Sequence, residues 1–134
     1  MTQRHLETIR RGQEAFNRGD LSTSREWVAE DVEWHPTESF PGVEGVYRGP
    51  DAMDRWMETI RAEWQEFEVS LDDVLHNEGD VLIITERLRG RGRESGAEVE
   101  MRIFAVYRFN SEGKVTSRKA FTAREEALAA LKAG

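Results

Sequence analysis

The sequence predicts an α+β fold in which a cone-like, curved antiparallel sheet wraps around three N-terminal helices, with a short C-terminal helix. Two observations lead to this prediction. Up to Trp64, apolar residues recur at the spacings of amphipathic helices, whereas from Phe67 onward they alternate with polar residues, as in half-buried strands. The turns between the later segments return the chain directly into another strand. We expect residues 1–134 to form a single domain.

Three helices are expected in the first half of the chain. The first covers residues 3–18 and stops at Gly19, and a short second helix follows, capped by Asp20 or Ser22. The third covers residues 51–64. Its broad apolar stripe consists of Met53, Trp56, Met57, Ile60 and Trp64.

The predicted strands follow a period of two. A brief strand at residues 32–35 ends at Pro36, and the Gly- and Pro-rich segment 36–49 is expected to form a loop at the mouth of a pocket. Four longer strands and a terminal helix are expected at residues 67–71, 81–88, 99–109, 115–121 and 123–132. Because a long sheet twists and curls, three short helices cannot fill its concave face, so we expect a cavity between them.

Composition excludes several classes of protein. The chain has no cysteine, which rules out disulfides, thiolate nucleophiles and sulfur-rich zinc sites. Its net charge of −7, from 26 acidic and 19 basic residues, argues against nucleic-acid binding. The charged N-terminal stretch resembles neither a signal peptide nor a membrane span, so we expect a cytoplasmic protein without membrane contact. His5 and His76 lack the carboxylate spacing of a metal site, and we expect no metal and no cofactor.

Three short motifs and the order of the elements carry a resemblance to a known family. The motifs are FNRGD at residues 16–20, YRGP at 47–50 and FNSEGKV at 109–115. With them, the chain resembles the SnoaL-like branch of the nuclear-transport-factor-2-like superfamily over almost its whole length. The resemblance implies the cone-like fold, a pocket and a homodimer. It leaves the activity open, since this fold hosts isomerases, cyclases, dehydratases, epoxide hydrolases and binding modules.

Individual members of that superfamily imply roles for some positions. In ketosteroid isomerase the general base precedes the proline that ends the first strand, which is the position of His35 here. The oxyanion donors of that enzyme match Gly12 and Ala105, so steroid isomerisation by that route is not expected. In limonene epoxide hydrolase an arginine lies between two aspartates. The arginine matches Arg87, whereas neither aspartate has a carboxylate counterpart.

His35 and Arg87 are the candidate catalytic residues. An imidazole at a strand end can accept or donate a proton near neutral pH, and the alternative is a histidine that only hydrogen-bonds the loop. A buried guanidinium at Arg87 would need an anionic partner or a ligand oxygen. The alternatives are a salt bridge to Glu86, Glu98 or Glu100 across the sheet, or an arginine at the solvated edge of the sheet. Polyketide cyclases of the family use an acidic residue on the later strands, for which Glu86 and Glu100 are candidates.

The remaining candidate residues are expected to line the pocket. Large rings form sites for apolar ligands, although most such rings belong simply to a core. The family register also turns Arg118 toward the pocket, with an ordinary surface arginine as the alternative. The expected substrate-binding residues are Phe16, Trp27, Trp34, Trp56, Ile60, Met101, Ile103, Ala105 and Arg118, and the aromatic set further includes Phe104 and Phe121.

The sequence thus leads to one functional hypothesis and two alternatives. The first is a pocket for a small apolar molecule with a carbonyl or carboxylate, which Arg87 orients while His35 moves a proton in an isomerase, cyclase or lyase step. The second is a binding module without catalysis. The third is an interaction domain that dimerises through the outer face of the sheet, because parts of residues 81–88 and 99–109 are apolar on both faces. A homodimer is compatible with all three.

Overall fold

The computed structural model describes residues 2–36 and 45–132 of the chain. Within that part, four helices and six strands form an α+β fold with one open, curved sheet. No helix in those two ranges is long and apolar enough to cross a membrane. In chain order, the elements are α1 Thr2–Asn17, α2 Ser24–Trp27, β1 Val28–His35, β2 Tyr47–Arg48, α3 Ala52–Glu63, β3 Trp64–Glu78, β4 Val81–Gly92, β5 Glu98–Phe109, β6 Val115–Phe121 and α4 Arg124–Ala129.

The sheet has the strand order β2-β1-β6-β5-β4-β3. As predicted, the sheet is mainly antiparallel; the exception among the described strands is the pair β1 and β6, which run parallel. Parallel strands need a long connection, and here most of the chain lies between the two. The two-residue strand β2 lies in the segment predicted as a loop, and residues 37–44 of that segment lie outside the described part.

The transition from helix to sheet occurs at Trp64. This residue was predicted to end the third helix, but α3 ends at Glu63 and Trp64 begins the 15-residue strand β3. Its ring packs against the backbone of β4, where a Cβ atom at Gly90 would come within 2.8 Å of the indole. The contact therefore requires glycine at that position.

The main core lies between the concave face of the sheet and helices α1 and α3. Both helices are amphipathic, and their apolar stripes are buried against the strands. The most deeply buried side chains of this core include Ile9, Val32, Ile60, Leu82, Ile84, Ile103 and Val115.

A second, smaller core lies on the convex face. Helix α4 packs there on Ile83 and Val106, through Ala127. Phe104 and Phe121 belong to this cluster, so the prediction that they share the inner aromatic set is wrong: alternation along β5 and β6 turns them to the other side. The apolar positions that suggested a dimer surface are thus packed against this chain's own helix, and homodimerisation stays a prediction.

The docking of α4 can be tested at Ala127, which is fully buried. We expect Ala127→Glu to lower the free energy of unfolding by about 2 kcal/mol or more, because a charge would enter an apolar contact. Ala129→Glu makes the same change at an exposed position of the same helix and is expected to cost within about 0.5 kcal/mol. Urea denaturation measures both; equal losses would contradict the described packing.

Candidate functional site

A buried ion pair lies at the centre of the concave face. Arg118 on β6 donates through Nη2 to Oε1 of Glu86 on β4, at 2.7 Å. The two side chains are 1% and 0% exposed. A pair this deeply buried is held by strong, charge-assisted hydrogen bonding.

Two further donors complete the environment of Glu86. The hydroxyl of Tyr107 on β5 donates to Oε2 at 2.6 Å, and Nε2 of Gln13 on α1 donates to the same oxygen at 2.8 Å. Strand alternation places Glu86, Tyr107 and Arg118 on one face of three successive strands, while α1 brings Gln13 from above. We call these four residues the buried polar cluster.

The cluster fixes the protonation of two of its members. Burial raises the pKa of Tyr107 well above its usual value, and the nearby Glu86 raises it further, so the phenol stays a neutral donor. For Arg118, burial alone lowers the pKa, but the attraction of Glu86, with a contribution from Tyr107, outweighs burial and raises it. The guanidinium is therefore always charged.

Arg118 has nitrogen atoms that the ion pair does not use. Its Nη1 makes only a long contact, at 3.5 Å, to the backbone carbonyl of His35. The guanidinium carbon lies 5.1 Å from the ring centre of Trp34 and 5.7 Å from that of Trp56, within the range of cation–π attraction. The charge thus lies among aromatic rings, with part of its donor capacity free.

Three buried N–H donors at this site lack partners. Nε of Arg118 and the indole Nε1 atoms of Trp34 and Trp56 have no hydrogen-bond acceptor among the described residues. Their side chains lie close together, since the rings of Trp34 and Trp56 are 5.1 Å apart. Buried donors are normally satisfied, and leaving one unpaired costs about 1–3 kcal/mol. We call these three groups the donor set.

A small cavity of about 20 Å³ adjoins the donor set. Its volume corresponds to about one water molecule. The space is therefore much smaller than the roomy pocket expected from the sequence. Its described lining consists of Ile9, Gly12, Gln13, Phe16, Trp27, Trp34, Met53, Trp56, Val69, Tyr107 and Arg118.

An open groove of about 760 Å³ lies at the end of the sheet that α1 and α3 leave uncovered. Its apolar wall includes Phe16, Met57, Ile60, Trp64 and Val99, and charged side chains of β3, β4 and β5 form its rim. The molecule thus has a tight buried cavity and a wide open groove.

The structure places His35 away from the buried cavity. Its imidazole lies 3.1 Å from the carboxylate of Glu33, is 27% exposed, and is absent from the described lining. That hydrogen bond is the main reason that the pKa of Glu33 is lowered, with Arg48 adding to the effect. Only the backbone carbonyl of His35 faces Arg118. This geometry fits the alternative interpretation of His35, in which the side chain only forms a hydrogen bond with a nearby residue.

Arg87 was predicted to face the pocket, and the structure places it on the outer face of the sheet. Its side chain is 43% exposed and pairs with Asp72 and Glu100 on the neighbouring strands. The reason is strand alternation, because Glu86 points inward and the next residue must point outward. The alternative considered from the sequence, a salt bridge to Glu100 across the sheet, describes this geometry.

The other candidate lining residues divide into two groups. Five of them adjoin the cavity, namely Phe16, Trp27, Trp34, Trp56 and Arg118. The other four are on the concave side but outside the cavity lining: Ile60 lies in the groove wall, and Met101, Ile103 and Ala105 pack in the core. For the three residues of β5, alternation predicts the face of the sheet on which a side chain lies but not its position along the strand relative to the cavity.

Sequence reasoning missed Gln13 and Tyr107 and left Glu86 without a place. Arg87, Arg89 and Arg91 mark the solvent face of β4 by their alternation, and this pattern could have turned Glu86 inward. No comparable pattern identifies Gln13 on its charged helix. In residues 2–36 and 45–132, no group of three or more potential ligands could hold a metal ion.

Comparison with known proteins agrees with this fold. The SnoaL-like domain family matches residues 9–118. An NTF2-like protein from Burkholderia thailandensis superposes with a TM-score of 0.75 at 26% identity, over 92% of this chain and 96% of that one. No curated protein matches the sequence significantly.

Two further similar structures are of proteins with a named ligand or activity. TerC, co-crystallised with polyporic acid, has a TM-score of 0.76 at 15% identity, with 98% and 99% of the chains covered. The epoxide hydrolase/cyclase-like enzyme SalBIII, which acts in pyran ring formation in salinomycin, has a TM-score of 0.73 at 16% identity, with 93% and 96% covered. At such identities the likeness concerns the fold alone. Because the family match spans most of its length, this chain belongs to the SnoaL-like domain family.

Proposed function

We propose that the protein binds a small apolar molecule through a carbonyl or carboxylate oxygen, which accepts hydrogen bonds from the donor set. The observation that carries this proposal is that the three residues of the donor set, Arg118, Trp34 and Trp56, all line one cavity, and that each has a buried N–H group without a partner. An oxygen acceptor from a ligand would satisfy donors that are otherwise costly to bury.

The surroundings of the donor set define the rest of the ligand. Trp56, Trp34 and Phe16 offer ring faces, and planar apolar groups stack well on such faces. The cavity of about 20 Å³ admits little more than the oxygen atom itself. The apolar body must therefore displace a wall side chain. A flat ring that carries one carboxylate or ketone fits these requirements.

The chemistry that this geometry favours is stabilisation of negative charge on the bound oxygen. Arg118 remains charged and is buried, and although its Nη2 is paired with Glu86, its Nε has no partner and can donate to an oxyanion. An isomerase, cyclase or lyase step that passes through an enolate would use this stabilisation. The similar SalBIII is an epoxide hydrolase/cyclase-like enzyme, which supports the same general class for this chain.

A binding module without turnover is the second candidate. Glu86 already accepts three hydrogen bonds within the buried polar cluster and, like His35, is not among the described lining residues of the cavity. Among the described lining residues no carboxylate or imidazole is free to act as a base. Recovery of a tightly bound ligand unchanged after long incubation would favour this candidate, and turnover would exclude it.

The donor set can be tested with benzoate as the probe. We expect Trp56→Phe and Trp34→Phe to weaken benzoate binding about fivefold to tenfold each, because each variant keeps a ring but loses an N–H donor. Arg118→Lys, which removes the planar fork of donors, is expected to weaken binding by about tenfold or more. Titration calorimetry measures the affinities.

Trp27→Phe is the matched control, since Trp27 lines the same cavity but its N–H does not belong to the donor set. Its benzoate affinity is expected to stay within about twofold of the parent. Benzyl alcohol, which has the same ring without the carboxylate, should bind more weakly than benzoate. Equal binding of the two probes, or no change in any donor variant, would overturn the proposal.

A further inference from the structure

The cavity and the open groove have one lining residue in common. Phe16 is the one described residue that lines both, and its ring stacks on Trp56 of the donor set. The ring is buried, at 6% exposure. A molecule that moves from the groove into the cavity along their shared wall would therefore meet this ring.

Phe16 is held by contacts that permit rotation. Its ring stacks on Trp56 at 4.7 Å between centres and meets Phe67 edge-on at 6.2 Å. The side chain has no polar atom, so its displacement breaks no hydrogen bond. A ligand ring that stacks on Trp56 in its place would restore the main contact.

The backbone beneath Phe16 is fixed. The side-chain amide of the next residue, Asn17, donates through Nδ2 to the backbone carbonyl of Val69 at 2.8 Å. Its Oδ1 accepts a hydrogen bond from the backbone N–H of Val69 at 2.9 Å. Together these two bonds attach the end of α1 to β3. Movement of the helix would break both, whereas rotation of the Phe16 side chain leaves them intact. The easier route between groove and cavity is therefore the side-chain rotation.

We propose that Phe16 is a gate, and that ligands reach the buried donors from the open groove when its ring rotates away. The proposal deepens the proposed function and depends on it for the identity of the ligand, but the gate itself can be tested without one. It also assigns Phe16 a role in specificity, because the size of the side chain at this position limits which molecules enter.

The first test uses acrylamide as a quencher of tryptophan fluorescence. Trp34 and Trp56 are buried and line the cavity, and they are two of the four tryptophans in the chain. We expect Phe16→Ala and Phe16→Leu to make these two indoles quenchable, and Phe16→Tyr, which keeps a ring and adds no indole, to leave them protected. Val99→Ala shortens a groove residue outside the cavity lining and is the matched control, with no added quenching.

The second test measures how fast benzoate associates, by stopped-flow fluorescence. Phe16→Leu is expected to raise the association rate constant about tenfold, and Phe16→Trp to lower it by a similar factor. Asn17→Ala separates the two routes of opening, because it frees the helix end without changing the ring. If Asn17→Ala accelerates association and the Phe16 variants do not, the helix moves and the gate proposal is wrong.

The two proposals fail in distinguishable ways. Should benzoate bind to no variant while Phe16→Leu still exposes the buried indoles to acrylamide, the ligand proposal fails and the gate stands. Unchanged quenching in the folded Phe16→Ala and Phe16→Leu variants would overturn the gate, whatever benzoate does. Phe16→Leu, the milder change, keeps the test valid if Phe16→Ala does not fold.

Discussion

Replacement of Arg118 by methionine is expected to lower the free energy of unfolding by about 3–5 kcal/mol. The substitution leaves Glu86 fully buried without its cationic partner, and the hydrogen bonds from Tyr107 and Gln13 do not neutralise its charge. Urea denaturation monitored by circular dichroism measures the loss.

The double variant Arg118→Met/Glu86→Leu provides the control for that result. It removes both charges together, so we expect it to be more stable than Arg118→Met alone, even though it has lost one more native side chain. Arg87→Met removes an arginine from the exposed face and is expected to cost at most about 1 kcal/mol. If the double variant is less stable than Arg118→Met, the cost does not come from an unpaired carboxylate.

Trp56→Ala is expected to destabilise the protein by about 3–5 kcal/mol. The indole packs against Phe16 and Trp34 and adjoins the Arg118 guanidinium, so its removal opens a large space in the middle of the main core. The neighbouring elements are fixed by the sheet and cannot collapse fully into that space. Thermal or urea denaturation gives the magnitude.

Trp27→Ala is the corresponding control for Trp56→Ala. Trp27 lines the same cavity but is only partly buried, so less apolar surface is lost and the expected cost is smaller. Similar losses in the two variants would indicate that Trp56 does not occupy the central position described.

The fold was largely predictable because its elements have clear periods. The α3 stripe and the alternation along β5 each specify an element and its buried face. The boundary between α3 and β3 at Trp64 was harder to predict, because a buried aromatic residue fits the apolar stripe of a helix and the buried face of a strand equally well. The parallel pairing of β1 with β6 depends on contacts distant in sequence, which local patterns do not contain.

The site was less predictable than the fold. Residues 81–84 are all apolar, so this part of β4 does not show which of its residues face the core. A shift of the alternation by one residue would turn Arg87 inward in place of Glu86. The position of Arg118 depends on the register of β6 against β5, in which it lies opposite Tyr107. That the guanidinium pairs with a carboxylate two strands away could be recognised only from the assembled sheet.

The double hydrogen bond of Asn17 has a consequence for the solubility of the chain. β3 is an edge strand of the sheet. The side-chain amide of Asn17 forms hydrogen bonds with the outward-facing N–H and C=O groups of Val69, to which a further strand could otherwise bind. An unprotected border of this kind invites other molecules to continue the sheet and aggregate. A single side chain at the end of a helix thus blocks intermolecular polymerisation at that point.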